Sequence, residues 1–197
     1  MLDRFYPIFD AAAWLARMLP LGVKFVQLRV KDRPEDDVRA EIHLARNLCA
    51  KHGATLVVND HWRLAIEATC DFLHLGQEDL AGADLPAIRR AGLRLGISTH
   101  DHAELDTALA ADPDYVALGP VYPTRLKKMK WHEQGLDRVR EWKRLVGDRP
   151  LVAIGGLTVE RAAGVFAAGA DVASAITDIT LDPDPEARAR AWIEVTR

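Results

Sequence analysis

Short apolar runs alternate with longer amphipathic stretches along the whole chain, and that alternation restricts the fold more than any single motif does. Residues 5–9, 24–29, 55–58, 72–75, 94–97, 115–118, 151–154 and 171–174 form apolar runs of strand length. Between them, residues 35–51, 103–111, 136–145, 159–168 and 185–195 carry apolar side chains at helical spacing. Val38, Ile42, Ala45 and Leu48 make one such face, and Val139, Trp142 and Leu145 another. Strand-plus-helix units of about 20 residues imply parallel strands, because parallel neighbours need a crossover. Eight strands with eight helical stretches predict a closed (β/α)8 TIM barrel. The rival, an open doubly wound sheet, usually shows a glycine-rich turn after its first strand. Here the first run leads directly into Asp10-Ala11-Ala12-Ala13.

The length of 197 residues suits one barrel domain spanning 1–197 at the short end of the fold's range. An apolar content of 49% argues against disorder. With 26 Lys and Arg against 29 Asp and Glu, the net charge of −3 offers no basic excess for a nucleic-acid partner. No apolar run approaches the roughly 20 residues a membrane-spanning helix needs. Asp3 and Arg4 interrupt the start of the chain, so no secretory signal is expected and the expected location is cytoplasmic. Cys49 and Cys70 sit in apolar-periodic segments without a CxxC partner, and are expected to be reduced core residues. Self-association is left open.

Polar residues gather just past the strand ends, where active sites of this fold are built. Alternation puts Gln27, Arg29 and Lys31 on one side of the second strand and its exit, and two cations there suit a diphosphate. A buried Gln27 would need a partner. Asn59-Asp60 follows the third strand, and Asp60 either caps the next helix or binds a ligand. Gly76-Gln77-Glu78-Asp79 follows the fourth strand, so Asp60 and Asp79 stand on neighbouring loops as a candidate Mg²⁺ site. Ser98-Thr99-His100 ends the fifth strand, and offers Ser98 as a phosphate partner and His100 as an acid–base group or a neighbour of a helix cap. The basic segment 119–135 is unusually long and carries Arg125, Lys127, Lys128 and Lys130, as expected of a lid that closes over an anion. Gly155-Gly156, after the seventh strand, and Thr177, after the eighth, occupy the usual phosphate position of the fold. Asp178 would repel a phosphate there unless it turns away. No nucleophilic triad and no zinc spacing is present.

QLRVK at 27–31, VVND at 57–60, HLGQEDL at 74–80, GISTH at 96–100, GPVYPT at 119–124, AIGGLT at 153–158 and AAGAD at 167–171 occur in one order across nearly the whole chain. In that order the chain resembles the thiamine-phosphate synthase family. The resemblance implies an Mg²⁺-dependent transferase. It joins hydroxymethylpyrimidine diphosphate to a thiazole phosphate, and diphosphate departs before the thiazole nitrogen attacks. It implies that Gln27, Leu28, Arg29, Val30 and Lys31, with Asn59, Ser98 and Lys127, hold the pyrimidine diphosphate. Asp60 and Asp79 would bind Mg²⁺. Thr124, Arg125, Leu126, Gly156, Ile176 and Thr177 would hold the thiazole phosphate. Arg29, Lys31, Lys127 and Ser98 would stabilise the departing diphosphate.

Two places depart from the family pattern. The family's Pro-Thr-x-Thr-Lys reads Pro123-Thr124-Arg125-Leu126-Lys127 here. The family's Ser-Ala-Ile is replaced by Thr177-Asp178-Ile179, whereas the literal Ser174-Ala175-Ile176 lies three residues earlier, in the expected strand. Both departures fall on the thiazole-phosphate side. Two alternatives follow: a thiazole tautomerase, which lacks the diphosphate and Mg²⁺ residues, or a non-catalytic barrel that binds a phosphate ligand.

Overall fold

The computed structural model describes residues 1–124 and 132–197. Arg125, Leu126 and Lys127, with the rest of the basic segment to residue 131, lie outside the described residues. The chain runs β1 (Phe5–Phe9), α1 (Ala12–Met18), a 3₁₀ turn (Leu19–Leu21), β2 (Phe25–Leu28), α2 (Glu35–His52), β3 (Thr55–Asn59), α3 (Trp62–Glu67) and β4 (Phe72–Leu75). It continues with α4 (Gln77–Ala81), α5 (Leu85–Arg90), β5 (Arg94–Thr99), α6 (His102–Ala110), β6 (Tyr115–Leu118) and α7 (Gly135–Val146). The last elements are β7 (Leu151–Ile154), α8 (Val159–Ala167), β8 (Val172–Ala175), α9 (Thr177–Thr180) and α10 (Pro185–Val195).

The strands pair in parallel in chain order, and β1 closes on β8. The fold is the (β/α)8 barrel that the alternation predicts. It has more helices than expected. The β4–β5 crossover holds two short helices, α4 and α5, and α9 sits between β8 and α10. Asp84 divides the β4–β5 crossover, since its carboxylate accepts from Ala87 N at 2.9 Å and caps a new helix.

Alternation along each strand sorts side chains into two cores. Leu28, Val58, Leu73, Ile97, Val116 and Ala173 face outward and pack under the helices. From α2, Val38, Ile42, Ala45 and Cys49 meet that layer at spacings of four, three and four, the stripe an amphipathic helix presents. On α7 the buried residues are Val139, Trp142 and Val146, so the stripe passes one residue beyond the expected Leu145, which is exposed. Both cysteines are buried, and burial pushes the thiols up to about 12 for Cys49 and about 11 for Cys70.

The inner core is aromatic. Tyr6, Phe25, Phe72 and Tyr115 fill the barrel axis, with Tyr6 and Phe25 stacked at 4.3 Å and Phe72 5.9 Å from Tyr115. The Tyr115 ring has room because its neighbour across the β5–β6 pairing is Gly96, where a Cβ would stand 2.0 Å from Tyr115 Cζ. Above this layer the inward positions turn polar: Gln27, Asn59, His74, Ser98 and Ser174. That polar layer is the floor of the candidate site.

Candidate active site

β2 ends at Leu28, where Arg29 N–H donates to Phe9 O at 2.7 Å. Leu28 and Val30 are buried in the outer apolar core at 1% and 2% exposure. Their side chains pack under the helices, so the side chains of 27–31 that face the barrel interior or its rim are those of Gln27, Arg29 and Lys31. Of that segment, Gln27 points inward, Arg29 is half-buried and Lys31 is exposed at the rim. Gln27 has the partner its burial demands, since its Nε2 donates to Tyr6 Oη at 2.8 Å.

Lys31 Nζ lies 3.0 Å from Asp60 Oδ2, and Asn59 Nδ2 donates to the same carboxylate. Asp60 sits just past β3 with φ +64°, in the left-handed region that Asp tolerates better than most residues. Its N–H donates to His74 O at 2.9 Å, tying the β3 exit to β4. Asp60 does not cap α3, since the N-cap residue is His61 and no side chain caps that end. Asp79, in the first turn of α4, has the Asp60 carboxyl as a close neighbour. Burial first, and then the Asp60 charge, hold the Asp79 carboxyl above the usual carboxylate range. Two carboxylates forced together in this way call for a counter-cation. Asp60 and Asp79, with Glu35 and Glu78, line an acidic cleft of about 340 Å³. Among the described residues no group of three or more His, Cys, Asp or Glu converges. Asp60 and Asp79 are a pair of carboxylates, the donor type of which Mg²⁺ takes one or two while completing its shell with water and phosphate oxygens.

Ser98 and His74 meet over the barrel axis. His74 Nε2 is 2.8 Å from Ser98 Oγ, and His74 Nδ1 is 2.9 Å from Tyr115 Oη. Burial pushes His74 down to about 4, outweighing the nearby Asp60 charge, so the imidazole is neutral near pH 7. Gln77 Nε2 donates to Ser98 O at 2.7 Å and braces the end of β5. His74 and Gln77 stand at this floor and Tyr6 and Tyr115 in the aromatic layer beneath it, and the motifs gave none of the four a role. Their signal was strand alternation, which puts Tyr6, His74 and Tyr115 on the inward side. His100 is held at the rim by Glu104, whose Oε2 accepts from the His100 backbone N at 2.8 Å and lies 2.7 Å from Nδ1. Asp101, not His100, caps α6.

The opposite side of the mouth is built from β7 and β8. Gly155 and Gly156 have φ of +94° and +64°. At Gly156 a Cβ would stand 2.4 Å from Pro123 O, so the glycine lets two loops meet. Thr124 is half-buried beyond that contact. Ile176 precedes α9, and Thr177 is its first residue. Ser174 and Ala175 belong to β8, so the literal Ser-Ala-Ile is largely strand. Ser174 Oγ is the one buried side-chain polar atom without a partner among the described residues. Asp178 turns away from the mouth. Arg188 clamps both of its oxygens at 2.9 Å, and Trp192 Nε1 donates to it at 2.8 Å. Arg188 also pairs with Glu160, whose carboxyl is lowered to about 2, chiefly by that contact. The acid at 178 thus anchors α9 to α8 and α10. The two halves of the predicted site face one mouth, with the Lys31–Asp60–Asp79 group on the β2–β4 side and the glycines and α9 on the β7–β8 side.

Residues 6–179 match the family model described as thiamine monophosphate synthase. A thiamine-phosphate synthase from Rhizobium etli is 63% identical over 195 residues, covering 99% of this chain and 96% of that protein. One from Salmonella dublin is 44% identical over 190 residues, covering 96% and 90% respectively. The solved structure of the thiamine phosphate pyrophosphorylase from Pyrococcus furiosus superposes with a TM-score of 0.86 at 23% identity, covering 98% of this chain and 95% of that one. At that identity the superposition speaks to the fold.

Proposed function

Because the chain belongs to the thiamine monophosphate synthase family, we propose that its barrel mouth joins a pyrimidine diphosphate to a thiazole phosphate through the residues described above. The family membership makes the chain an enzyme, a transferase of thiamine biosynthesis. In the proposed reaction the pyrimidine methylene–oxygen bond breaks and diphosphate leaves. The thiazole nitrogen then bonds to the methylene carbon, giving thiamine phosphate. The whole chain, 1–197, acts as one barrel domain.

The observation that carries the reading is the Lys31–Asp60–Asp79 cluster at the rim, beside Asn59 and across the floor from Ser98. Asp60 and Asp79 would hold Mg²⁺, whose chemistry when bound is to neutralise negative charge on diphosphate oxygens. Arg29 and Lys31 add positive charge on the same side, and Ser98 offers a hydroxyl to the leaving group or the pyrimidine. Lys127, from the segment 119–135, completes the cation set of the pyrimidine diphosphate. Gly156, Ile176 and Thr177, with Thr124, Arg125 and Leu126, form the thiazole-phosphate side. With Asp178 bound to Arg188, the acid at that position does not oppose a phosphate. Little covalent work falls to the protein, because both substrates held in line and a stabilised leaving charge supply most of the rate. Neutral, buried thiols leave Cys49 and Cys70 out of the chemistry.

The direct test is to incubate the purified protein with both substrates and Mg²⁺ and assay thiamine phosphate. Formation that stops on chelation, and is strongly reduced in both Asp60→Asn and Asp79→Asn, supports the reading. Isomerisation of thiazole phosphate with no coupling would overturn it in favour of a tautomerase. Wild-type rates in both Asp variants at limiting Mg²⁺ would remove the metal assignment.

A further inference from the structure

Five side chains from five strands form one unbroken hydrogen-bonded line through the barrel. Gln27 Nε2 meets Tyr6 Oη at 2.8 Å, Tyr6 Oη meets Tyr115 Oη at 2.9 Å, Tyr115 Oη meets His74 Nδ1 at 2.9 Å, and His74 Nε2 meets Ser98 Oγ at 2.8 Å. Four of the five are 7% exposed or less, and only Ser98, at the top, is half-open. A barrel axis filled with apolar side chains would avoid the burial of these polar groups. The line therefore needs a use, and its upper end is a residue placed in the candidate site.

We propose that this line is polarised from Gln27 toward Ser98, that it holds His74 as the Nε2–H tautomer, and that it thereby commits the Ser98 hydroxyl proton to an acceptor on the bound diphosphate. The proposal rests on the reading above in which Ser98 faces the substrate. Tyr6, Tyr115 and His74 are positioning residues that act through Ser98.

The polarity follows from counting donors. The Gln27 amide nitrogen can only donate, so Tyr6 Oη accepts from it. Among the described residues the Tyr6 hydroxyl has one other partner, Tyr115, and is buried from water. If Tyr115 donated to Tyr6, the Tyr6 proton would be left without an acceptor, at the cost of a buried orphan donor. Tyr6 therefore donates to Tyr115. The Tyr115 proton then goes to its remaining partner, His74 Nδ1. A neutral imidazole that accepts at Nδ1 carries its proton on Nε2 and donates it to Ser98 Oγ. At the upper end the Ser98 proton has no acceptor within the line, so it is given to whatever fills the mouth. A diphosphate oxygen that gains charge as the bond breaks is the acceptor that rewards it most.

The test reads the tautomer and the turnover separately, on the full-length protein. With ¹⁵N-labelled histidine and His74→Gln to assign the signal, two-bond ¹H–¹⁵N spectra should show His74 protonated at Nε2 and bare at Nδ1. A ring protonated at Nδ1 overturns the polarity whatever the activity. Tyr115→Phe keeps the ring and removes the donor, so His74 should shift toward the other tautomer. kcat should then fall about 10- to 150-fold, as for loss of one hydrogen bond to a charged group, while KM for the pyrimidine diphosphate moves little. A Tyr115→Phe protein with the wild-type tautomer overturns the relay. Tyr6→Phe should shift the tautomer in the same direction, and supplies a second reading if Tyr115→Phe folds poorly. Ser98→Ala distinguishes the underlying site reading. Wild-type turnover in that variant alongside an Nε2–H His74 would mean that the line is polarised as argued but does not serve the diphosphate, and the catalytic half of the proposal falls.

Discussion

Replacing Gly96 by alanine tests the inner core and the polar line together. Gly96 lies in β5 and is not among the glycines with positive φ, so the backbone has no objection to alanine. Relieving the entropic cost of a strand glycine would by itself stabilise by about 0.5–1 kcal/mol. The side-chain environment decides otherwise. The new methyl would lie 2.0 Å from Tyr115 Cζ, 2.3 Å from Cε1 and 2.4 Å from Cε2. Carbon atoms in contact prefer about 3.5–4.0 Å, so the ring must retreat by about 1.5–2 Å. It has nowhere easy to go, because Phe72 and His74 pack against it at centroid distances of 5.9 and 5.6 Å. Overpacking of this kind costs about 1–3 kcal/mol. Moving Tyr115 Oη also strands Tyr6 or His74, and one buried unsatisfied group adds about 1–3 kcal/mol. After subtracting the backbone gain, Gly96→Ala should destabilise by about 1–5 kcal/mol, or lower Tm by about 2–4 °C for each kcal/mol. Urea unfolding gives the first number and the His74 tautomer signal the second readout. Tyr115→Leu in the Gly96→Ala background removes the ring that the methyl strikes, and should recover part of the loss as a non-additive pair. A Gly96→Ala protein as stable as wild type, with an unchanged His74 signal, would refute the packing argument and with it the placement of Tyr115 on the axis.

Three further outcomes are expected. Gly156→Ala combines a φ of +64° with a Cβ 2.4 Å from Pro123 O, so it should raise KM for the thiazole phosphate far more than KM for the pyrimidine diphosphate, measurable by steady-state kinetics. Asp79 has a folded-state pKa above its unfolded value, so its ionised form costs stability at neutral pH and that cost is relieved as pH falls through the raised pKa. Thermal melts without metal should therefore show Asp79→Asn above wild type at pH 7 with the gap closing in acid, and Mg²⁺ should raise the Tm of wild type but not of the variant. Leu126 stands where the family has threonine and lies outside the described residues; Leu126→Thr should lower KM for the thiazole phosphate alone, by at most about 10- to 150-fold if one hydrogen bond to a charged group is regained.

Which of these features could be read from the residues, and which needed the three-dimensional arrangement, divides along the range of the forces involved. Strand and helix periodicity are local, so the order of elements and the closed barrel follow from runs such as Leu73–Leu75 and from the stripe Val38, Ile42, Ala45. Boundaries slipped where a single residue decided them. Val146 rather than Leu145 completes the buried face of α7, because the face drifts with the helical repeat. Asp84 splits one crossover by capping, a signal that the residue type carried but that a stretch between two strands concealed. The meeting of Asp60 and Asp79 at the rim was legible because both follow apolar strands, and neighbouring strands bring their exits together. Alternation also implied that Leu28 and Val30 face away from Gln27, which a motif read as a block obscured.

The polar line was illegible for a different reason. Alternation assigns Tyr6, His74 and Tyr115 to the inside, but which inward groups touch is set by the tilt of the closed sheet, and Tyr6 meets Tyr115 across 109 residues of chain. A lone histidine in an apolar strand reads as core, and here it is core, at 7% exposure. What gives it a direction is the donor count of its partners, a property of the assembled group that no single position displays. The same reasoning explains Asp178. From its place after β8 it looks hostile to a phosphate, and only the Arg188 and Trp192 contacts, 10 and 14 residues further on, show its charge already spent on α10. Each departure from the family pattern therefore has to be judged by where its hydrogen bonds go. At 178 they go away from the mouth, to Arg188 and Trp192, so the altered residue ties α9 to α10.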